Sequence, residues 1–133
     1  MRTHLRLGRL LGVPIGINWG VLVVCVLLAV SLARVSLPSV APDHPESAYW
    51  FAGVVGVLGF LGSLTVHELG HSYVARRNDV GVSEITLWLF GGVAKLESDA
   101  DDAGAEFRIA AAGPAMSFVA AAVCAAGFWG VEH

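Results

Sequence analysis

Three apolar stretches that carry almost no charge constrain this chain more than any other feature of its sequence. They run roughly over Val13–Ala33, Ala48–Thr65 and Ile109–Gly130. Each is close to the ~20 residues that a helix needs to cross the hydrocarbon core of a bilayer. Only 14% of the 133 residues are charged, whereas a soluble domain normally carries about 25%. The sequence therefore predicts a single integral-membrane domain over residues 1–133, with spans at about 15–34, 48–76 and 107–130.

Between the second and third stretches lies a segment that is typical of β-strands. Residues 85–90 are apolar and rich in β-forming side chains, Gly91 and Gly92 follow, and residues 93–97 have a similar pattern. Two short strands around a glycine turn fit this segment better than a helix. The predicted fold class is therefore an all-α membrane protein. It has three transmembrane helices and a short membrane-associated β-hairpin between the second and the third.

The segments outside these elements are expected to be irregular or interfacial. Residues 1–12 form a basic lead-in, and residues 13–16 a turn or helix start. Residues 37–46 contain three prolines and indicate an outer loop. Residues 98–106 are acidic and indicate a cytosolic loop. Pro114 cannot donate a backbone hydrogen bond to Ala110, so a kink is expected in the third helix.

The arginines set the expected orientation of the chain in a cell membrane. The segment 35–47 between the first two spans has two acidic residues and no Lys or Arg, while arginines stand at the opposite ends of these spans: Arg2, Arg6, Arg9, Arg76 and Arg77. By the positive-inside rule, this multi-pass protein has a cytosolic N-terminus. The net charge of −3 and the lack of a basic patch argue against a nucleic-acid partner.

One ionisable cluster lies within the second span. It has the sequence His67-Glu68-Leu69-Gly70-His71. On a helix, residues four apart share a face, so His67 and His71 can bind one metal ion together. Glu68 lies beside them and can take a proton from a metal-bound water, as in zinc-dependent peptidases. A chance match is the alternative, but ionisable groups inside a membrane are costly without partners and therefore indicate a functional site.

Three motifs, in this order, resemble the site-2 protease family of intramembrane zinc metalloproteases, peptidase family M50. They are the HExxH pattern at residues 67–71, the sequence FGGV at residues 90–93 and the sequence AGPA at residues 112–115. The beginning of the chain, with GVPI at residues 12–15 followed by Asn18 and Trp19, is also similar to this family. The resemblance covers nearly the whole chain.

The resemblance implies a zinc metalloendopeptidase of bacterial or archaeal membranes that binds one zinc ion. His67 and His71 would be zinc ligands, and Glu68 would be the general base that activates water. Phe90, Gly91 and Gly92 would bind substrate within a hairpin that dips into the membrane. The substrates would be membrane-embedded proteins, cut inside their transmembrane segments. An exposed strand edge suits that task, because it can hold an unwound segment by strand addition.

The family's third zinc ligand is an aspartate of a later helix, in an Asp-Gly motif. The aspartates of this sequence lie in polar loop sequence, and none is assigned as that ligand: Asp79, Asp99, Asp101 and Asp102. We therefore expect the N-terminal part of a protease core. The alternative is a truncated, non-catalytic membrane protein with an incomplete metal site, although an intact Glu68 argues against it. A metal transporter is weaker still, because the chain has a single intramembrane cluster. The sequence does not indicate an oligomeric state.

Overall fold

The computed structural model describes residues 5–10, 12–88, 91–96 and 102–132. Four strands, four α-helices and one π-helical turn account for most of these residues. In chain order they are β1 (Leu5–Leu10), β2 (Val13–Ile17), α1 (Trp19–Ser31), the π-helical turn (Leu32–Ser36), α2 (Leu37–Val40), α3 (Glu46–Arg77), β3 (Val82–Trp88), β4 (Gly91–Leu96) and α4 (Ala103–Glu132).

Three helical segments are long and apolar enough to cross a membrane, as predicted. They are Trp19–Val40, Glu46–Arg77 and Ala103–Gly130, with mean hydropathies of 2.4, 1.7 and 1.9. Large apolar side chains on these helices point away from the protein, including Phe51 at 74% and Phe118 at 78% exposure. Such exposure would be costly in water, whereas in lipid these side chains face a solvent as apolar as themselves.

The first membrane-crossing segment lies later in the chain than predicted. It begins at Trp19 because Asn18 ends the preceding strand and caps the helix, its side chain accepting a hydrogen bond from the Gly20 amide at 2.9 Å. It continues through the π-helical turn to Val40. Pro38 does not stop it, because proline is tolerated in the first turn of α2. The predicted outer loop is therefore helical as far as Val40.

The third segment begins earlier than predicted. The side chain of Asp102 accepts a hydrogen bond from the Ala105 amide at 2.7 Å, so the helix starts at Ala103. The last residues of the predicted acidic loop are therefore helical, and residues 97–101 lie outside the part that the structure describes. Pro114 lies inside α4, which is helical on both sides of it.

A four-stranded sheet corrects the predicted all-α fold class. The strand order is β1-β2-β3-β4, with β1 antiparallel to β2, β2 parallel to β3, and β3 antiparallel to β4. Residues 5–10 of the expected N-terminal lead-in thus form one strand, and the expected turn or helix start at residues 13–16 belongs to another. The parallel register pairs Ile15 with Ile85 and Ile17 with Leu87. These four side chains are buried and pack with Val21 of α1 and Val57 of α3 in the core.

The hairpin between the second and third membrane-crossing helices is present, but its strands are placed differently from the prediction. Gly91 pairs with Trp88 and Gly92 with Leu87, so both glycines belong to β4 and not to a turn. Leu89 and Phe90 lie outside the described residues. The hairpin packs against α3, and β4 is an edge strand of the sheet as described.

Helix α4 crosses α3 closely at the level of the HExxH pattern. A Cβ atom added at Gly70 would lie 2.7 Å from Met116 Cγ and 2.9 Å from the carbonyl oxygen of Ala112. Nearer the end of α3, the Arg108 guanidinium donates to the Asn78 side-chain oxygen at 2.7 Å. The two helices are thereby held together at the site described next.

Candidate metal centre

The two histidines of the HExxH pattern converge on one side of α3, as their spacing predicts. Their ring centroids are 4.8 Å apart, and the Nε2 atoms of His67 and His71 are separated by 3.1 Å. Both side chains are half-buried. The Nδ1 atom of each ring faces away from the pair and meets a group on α4.

His71 is held by the backbone of α4. Its Nδ1 lies 2.7 Å from the carbonyl oxygen of Ile109. A carbonyl oxygen can only accept, so Nδ1 carries the proton and donates this hydrogen bond. In the neutral ring, Nε2 then has a free lone pair, which is the form that binds a metal.

His67 is held by a side chain of α4. Its Nδ1 lies 2.8 Å from the Ser117 hydroxyl oxygen. Partners of this kind, bonded to the ring nitrogen that does not face the metal, orient histidine ligands and raise their basicity. Both histidines therefore have an outer partner on the same helix.

The histidine pair fits a zinc ion. Two nitrogens bound at 2.0–2.1 Å with a tetrahedral angle would lie ~3.3 Å apart, close to the 3.1 Å between the two Nε2 atoms. Catalytic zinc usually has three protein ligands and one open position. Within the described ranges, the structure contains no group of three His, Cys, Asp or Glu side chains suited to a metal.

Glu68 lies next to the pair but points toward the hairpin. Its side chain is only 6% exposed. A Cβ atom added at Gly92 of β4 would overlap the Glu68 side chain, carboxyl group included. Of the three residues predicted to bind substrate, Gly92 thus lies against the predicted general base. Gly91 is the first residue of β4, and Phe90 is outside the described residues.

A cavity of about 620 Å³ opens over these groups, between α3, α4 and β4. Alternate residues of β4 face it, which is the periodicity of one face of a strand. Its lining is mixed polar and apolar, and consists of Phe60, Ser63, Leu64, His67, Glu68, His71, Gly92, Ala94, Leu96, Ile109 and Ser117. The edge strand β4, the Glu68 carboxylate and the imidazoles of His67 and His71 therefore line the same cavity.

The sequence reasoning missed the contribution of α4 to this site. Ile109, Gly113 and Ser117 follow one another at intervals of four, so they share a helix face. The Ile109 carbonyl accepts a hydrogen bond from His71, and the Ser117 hydroxyl forms one with His67. Gly113, between them, leaves room for the His71 ring. The sequence did offer a signal for this face: Gly113 and Ser117, a small residue and a hydroxyl, stand four residues apart in an apolar span.

The chain is similar to proteins of one known family. The sequence model of peptidase family M50 matches residues 55–132. Rip3 of Mycobacterium tuberculosis is 45% identical over 122 residues, which cover 92% of this chain and 31% of Rip3. Zinc metalloprotease MJ0392 of Methanocaldococcus jannaschii is 33% identical over 119 residues, which cover 90% of this chain and 31% of that protein. The chain thus spans about a third of the length of these curated relatives.

A solved structure shows the same fold. The site-2 protease from Methanocaldococcus jannaschii superposes with a TM-score of 0.59 at 30% sequence identity, over 86% of this chain and 46% of that one. The family match, the relatives and the shared fold lead to one conclusion. The chain belongs to peptidase family M50, the site-2 protease family of zinc metalloproteases.

Proposed function

We propose that this chain carries the zinc-binding and proton-transfer groups of an intramembrane metalloprotease. The observation that supports this most strongly is the pair of Nε2 atoms, 3.1 Å apart, with both Nδ1 atoms bonded to α4. In this proposal, His67 and His71 are zinc ligands and Glu68 is the general base. The remaining protein ligand would come from outside the described residues.

In the proposed peptide hydrolysis, the metal and Glu68 would have different roles. A zinc ion held here would act as a Lewis acid toward a peptide carbonyl and would lower the pKa of water to about 7. The carboxylate of Glu68 would accept a proton from the attacking water and later donate it to the leaving amine. Its burial and its contact with Gly92 keep it beside β4, where the peptide bond would have to lie.

The edge of β4 is the proposed substrate-binding element. A transmembrane helix hides its peptide bonds in its own hydrogen bonds, so a substrate must unwind before it is cut. An edge strand offers backbone groups to an extended peptide by strand addition. Because Gly92, Ala94 and Leu96 face the same cavity as the two histidines, a strand added here would pass in front of the metal. The substrates would be membrane-embedded proteins.

The proposal also includes the orientation of the chain in the membrane. With the N-terminus in the cytosol, Arg76 and Arg77 at the end of α3 lie at the cytosolic surface. His67 would lie about two and a half helical turns below that surface, ~13 Å at 1.5 Å per residue. Water and protons would then reach Glu68 from the cytosolic side.

A cleavage assay with Glu68→Gln tests the function against the non-catalytic alternative. Gln keeps the shape of the side chain but cannot accept the proton, so turnover should fall at least ~100-fold while zinc content is unchanged. Glu106→Gln is the matched control, because Glu106 is exposed in the first turn of α4. Equal cleavage of a membrane-embedded reporter by the Glu68→Gln variant and the unaltered chain would show that the proposed mechanism is wrong.

A further inference from the structure

The two histidines are held by partners of different chemistry. The partner of His71 is the Ile109 carbonyl, which accepts only, so His71 is confined to the form protonated at Nδ1. The partner of His67 is the Ser117 hydroxyl, which can donate or accept. His67 can therefore keep this hydrogen bond with its proton on either ring nitrogen.

In the metal-free protein, the 3.1 Å separation of the Nε2 atoms favours one placement of the protons on the two rings. Two unprotonated nitrogens at this distance would point their lone pairs at each other. If His67 instead carries its proton on Nε2, it donates a hydrogen bond to the free lone pair of His71. The Nδ1 atom of His67 is then unprotonated and accepts the hydrogen bond of the Ser117 hydroxyl.

With a metal, both Nε2 atoms must be unprotonated. The proton of His67 then sits on Nδ1 and is donated to the Ser117 oxygen, whose own hydrogen rotates away. The exchange releases a proton from Nε2 to water and takes one up at Nδ1, so the ring stays neutral in both states. Only the direction of the bond between His67 and Ser117 is reversed.

We propose that Ser117 is a positioning residue that allows His67 to exchange its tautomer when the metal binds. This inference rests on the proposed metal site. A purely accepting partner, such as the carbonyl that holds His71, would lose its hydrogen bond in the metal-free form. A hydroxyl keeps the ring oriented in both forms, so the site is in place before the metal arrives.

Nitrogen NMR of the ¹⁵N-histidine-labelled protein in lipid bilayers tests the exchange directly. In the metal-free protein, we expect His67 protonated at Nε2 and His71 at Nδ1. On titration with zinc, the proton of His67 should move to Nδ1, and His71 should keep its tautomer. His44, exposed and outside the site, serves as the internal reference. If His67 is protonated at Nδ1 both before and after zinc is added, the inference is overturned.

Variants at residue 117 add a measurement of zinc affinity. Ser117→Ala removes the partner of His67 and should weaken zinc binding by about tenfold or more. Ser117→Thr keeps a hydroxyl and should restore both the affinity and the tautomer change. Ser31→Ala is the control, because Ser31 is an exposed serine at the end of α1, outside the cavity. Unchanged affinity in Ser117→Ala, or an equal loss in Ser31→Ala, contradicts a positioning role for Ser117.

The two proposals fail in different ways. If the unaltered protein binds no zinc, the proposed metal site is wrong, and the tautomer exchange is wrong with it. If zinc binds and His67 does not change its tautomer, the exchange alone is wrong and the metal site stands.

Discussion

Gly113 of α4 lies so close to the imidazole ring of His71 that a Cβ atom at position 113 would overlap Nε2 and its two neighbouring ring carbons. The missing side chain thus makes room for the atom that would bind the metal. Because the same stretch of α4 also supplies the carbonyl that orients this ring, the helix both holds His71 and leaves space beside the nitrogen that is proposed to bind the metal.

Gly113→Ala should therefore damage the metal site specifically. The added methyl group must displace the His71 ring, so we expect zinc affinity to fall by about tenfold or more, as for other losses of ligand orientation. Gly127→Ala is the control, because Gly127 lies in the same helix with no atom within 4 Å of an added Cβ. Zinc titration of both variants is the measurement. Equal affinities would refute the steric role of Gly113.

Gly92→Ala should separate catalysis from metal binding. The added Cβ would overlap the Glu68 side chain, to which its three nearest atoms all belong. We expect the rate of peptide hydrolysis to fall by about 10- to 100-fold, because a displaced general base loses part of the roughly 100- to 10,000-fold that it usually contributes. Zinc content should match that of the unaltered chain. Gly62→Ala, with open space around its added Cβ, should change neither quantity, and loss of zinc in Gly92→Ala would contradict this account.

Gly70→Ala should weaken the packing of α3 on α4. The new methyl group would lie 2.9 Å from the Ala112 carbonyl oxygen, a backbone atom that cannot move alone. Overpacking of this kind costs about 1–3 kcal/mol in the free energy of unfolding. Gly59→Ala, with open space around it, should be neutral or slightly stabilising, since alanine favours helix. Unfolding in detergent by increasing SDS compares the two, and equal stabilities would be inconsistent with a close crossing at Gly70.

Cysteine cross-linking tests whether substrate lies along β4. Leu96 faces the cavity, whereas Lys95 precedes it on the same strand and does not line the cavity. In a background with Cys25 and Cys124 replaced by alanine, Leu96→Cys should form a disulfide with a cysteine in the unwound segment of a substrate. Lys95→Cys should react much less. Similar yields at both positions would argue against strand addition at this edge.

Local patterns were sufficient to predict the helices and the histidine pair. Hydropathy predicts the three membrane-crossing helices because apolar length is a property of each segment by itself. The i, i+4 spacing places His67 and His71 on one face for the same reason. The hairpin was also predicted, although β4 begins at Gly91 and not after the two glycines.

The sheet was missed because its central pairing is not local. Residues 13–17 contain a proline and a glycine, which by themselves suggest a turn. They form β2 because Ile15 and Ile17 pair with Ile85 and Leu87, far along the chain, and are buried against the helices. Pro14 precedes the three residues of β2 that pair with β3. Its lack of a backbone N–H therefore does not interrupt the parallel pairing. The partners of the histidines on α4 are likewise set by how the helices cross.

Zinc content per chain, measured for the unaltered protein and for His71→Ala, tests the central claim most directly. The account predicts close to one zinc per chain, retained through purification in detergent and lost in His71→Ala, because that change removes one of the two converging nitrogens. His44→Ala, at an exposed histidine outside the site, should keep the metal. Little zinc in the unaltered chain, or zinc that persists in His71→Ala, would contradict a metal centre at this histidine pair.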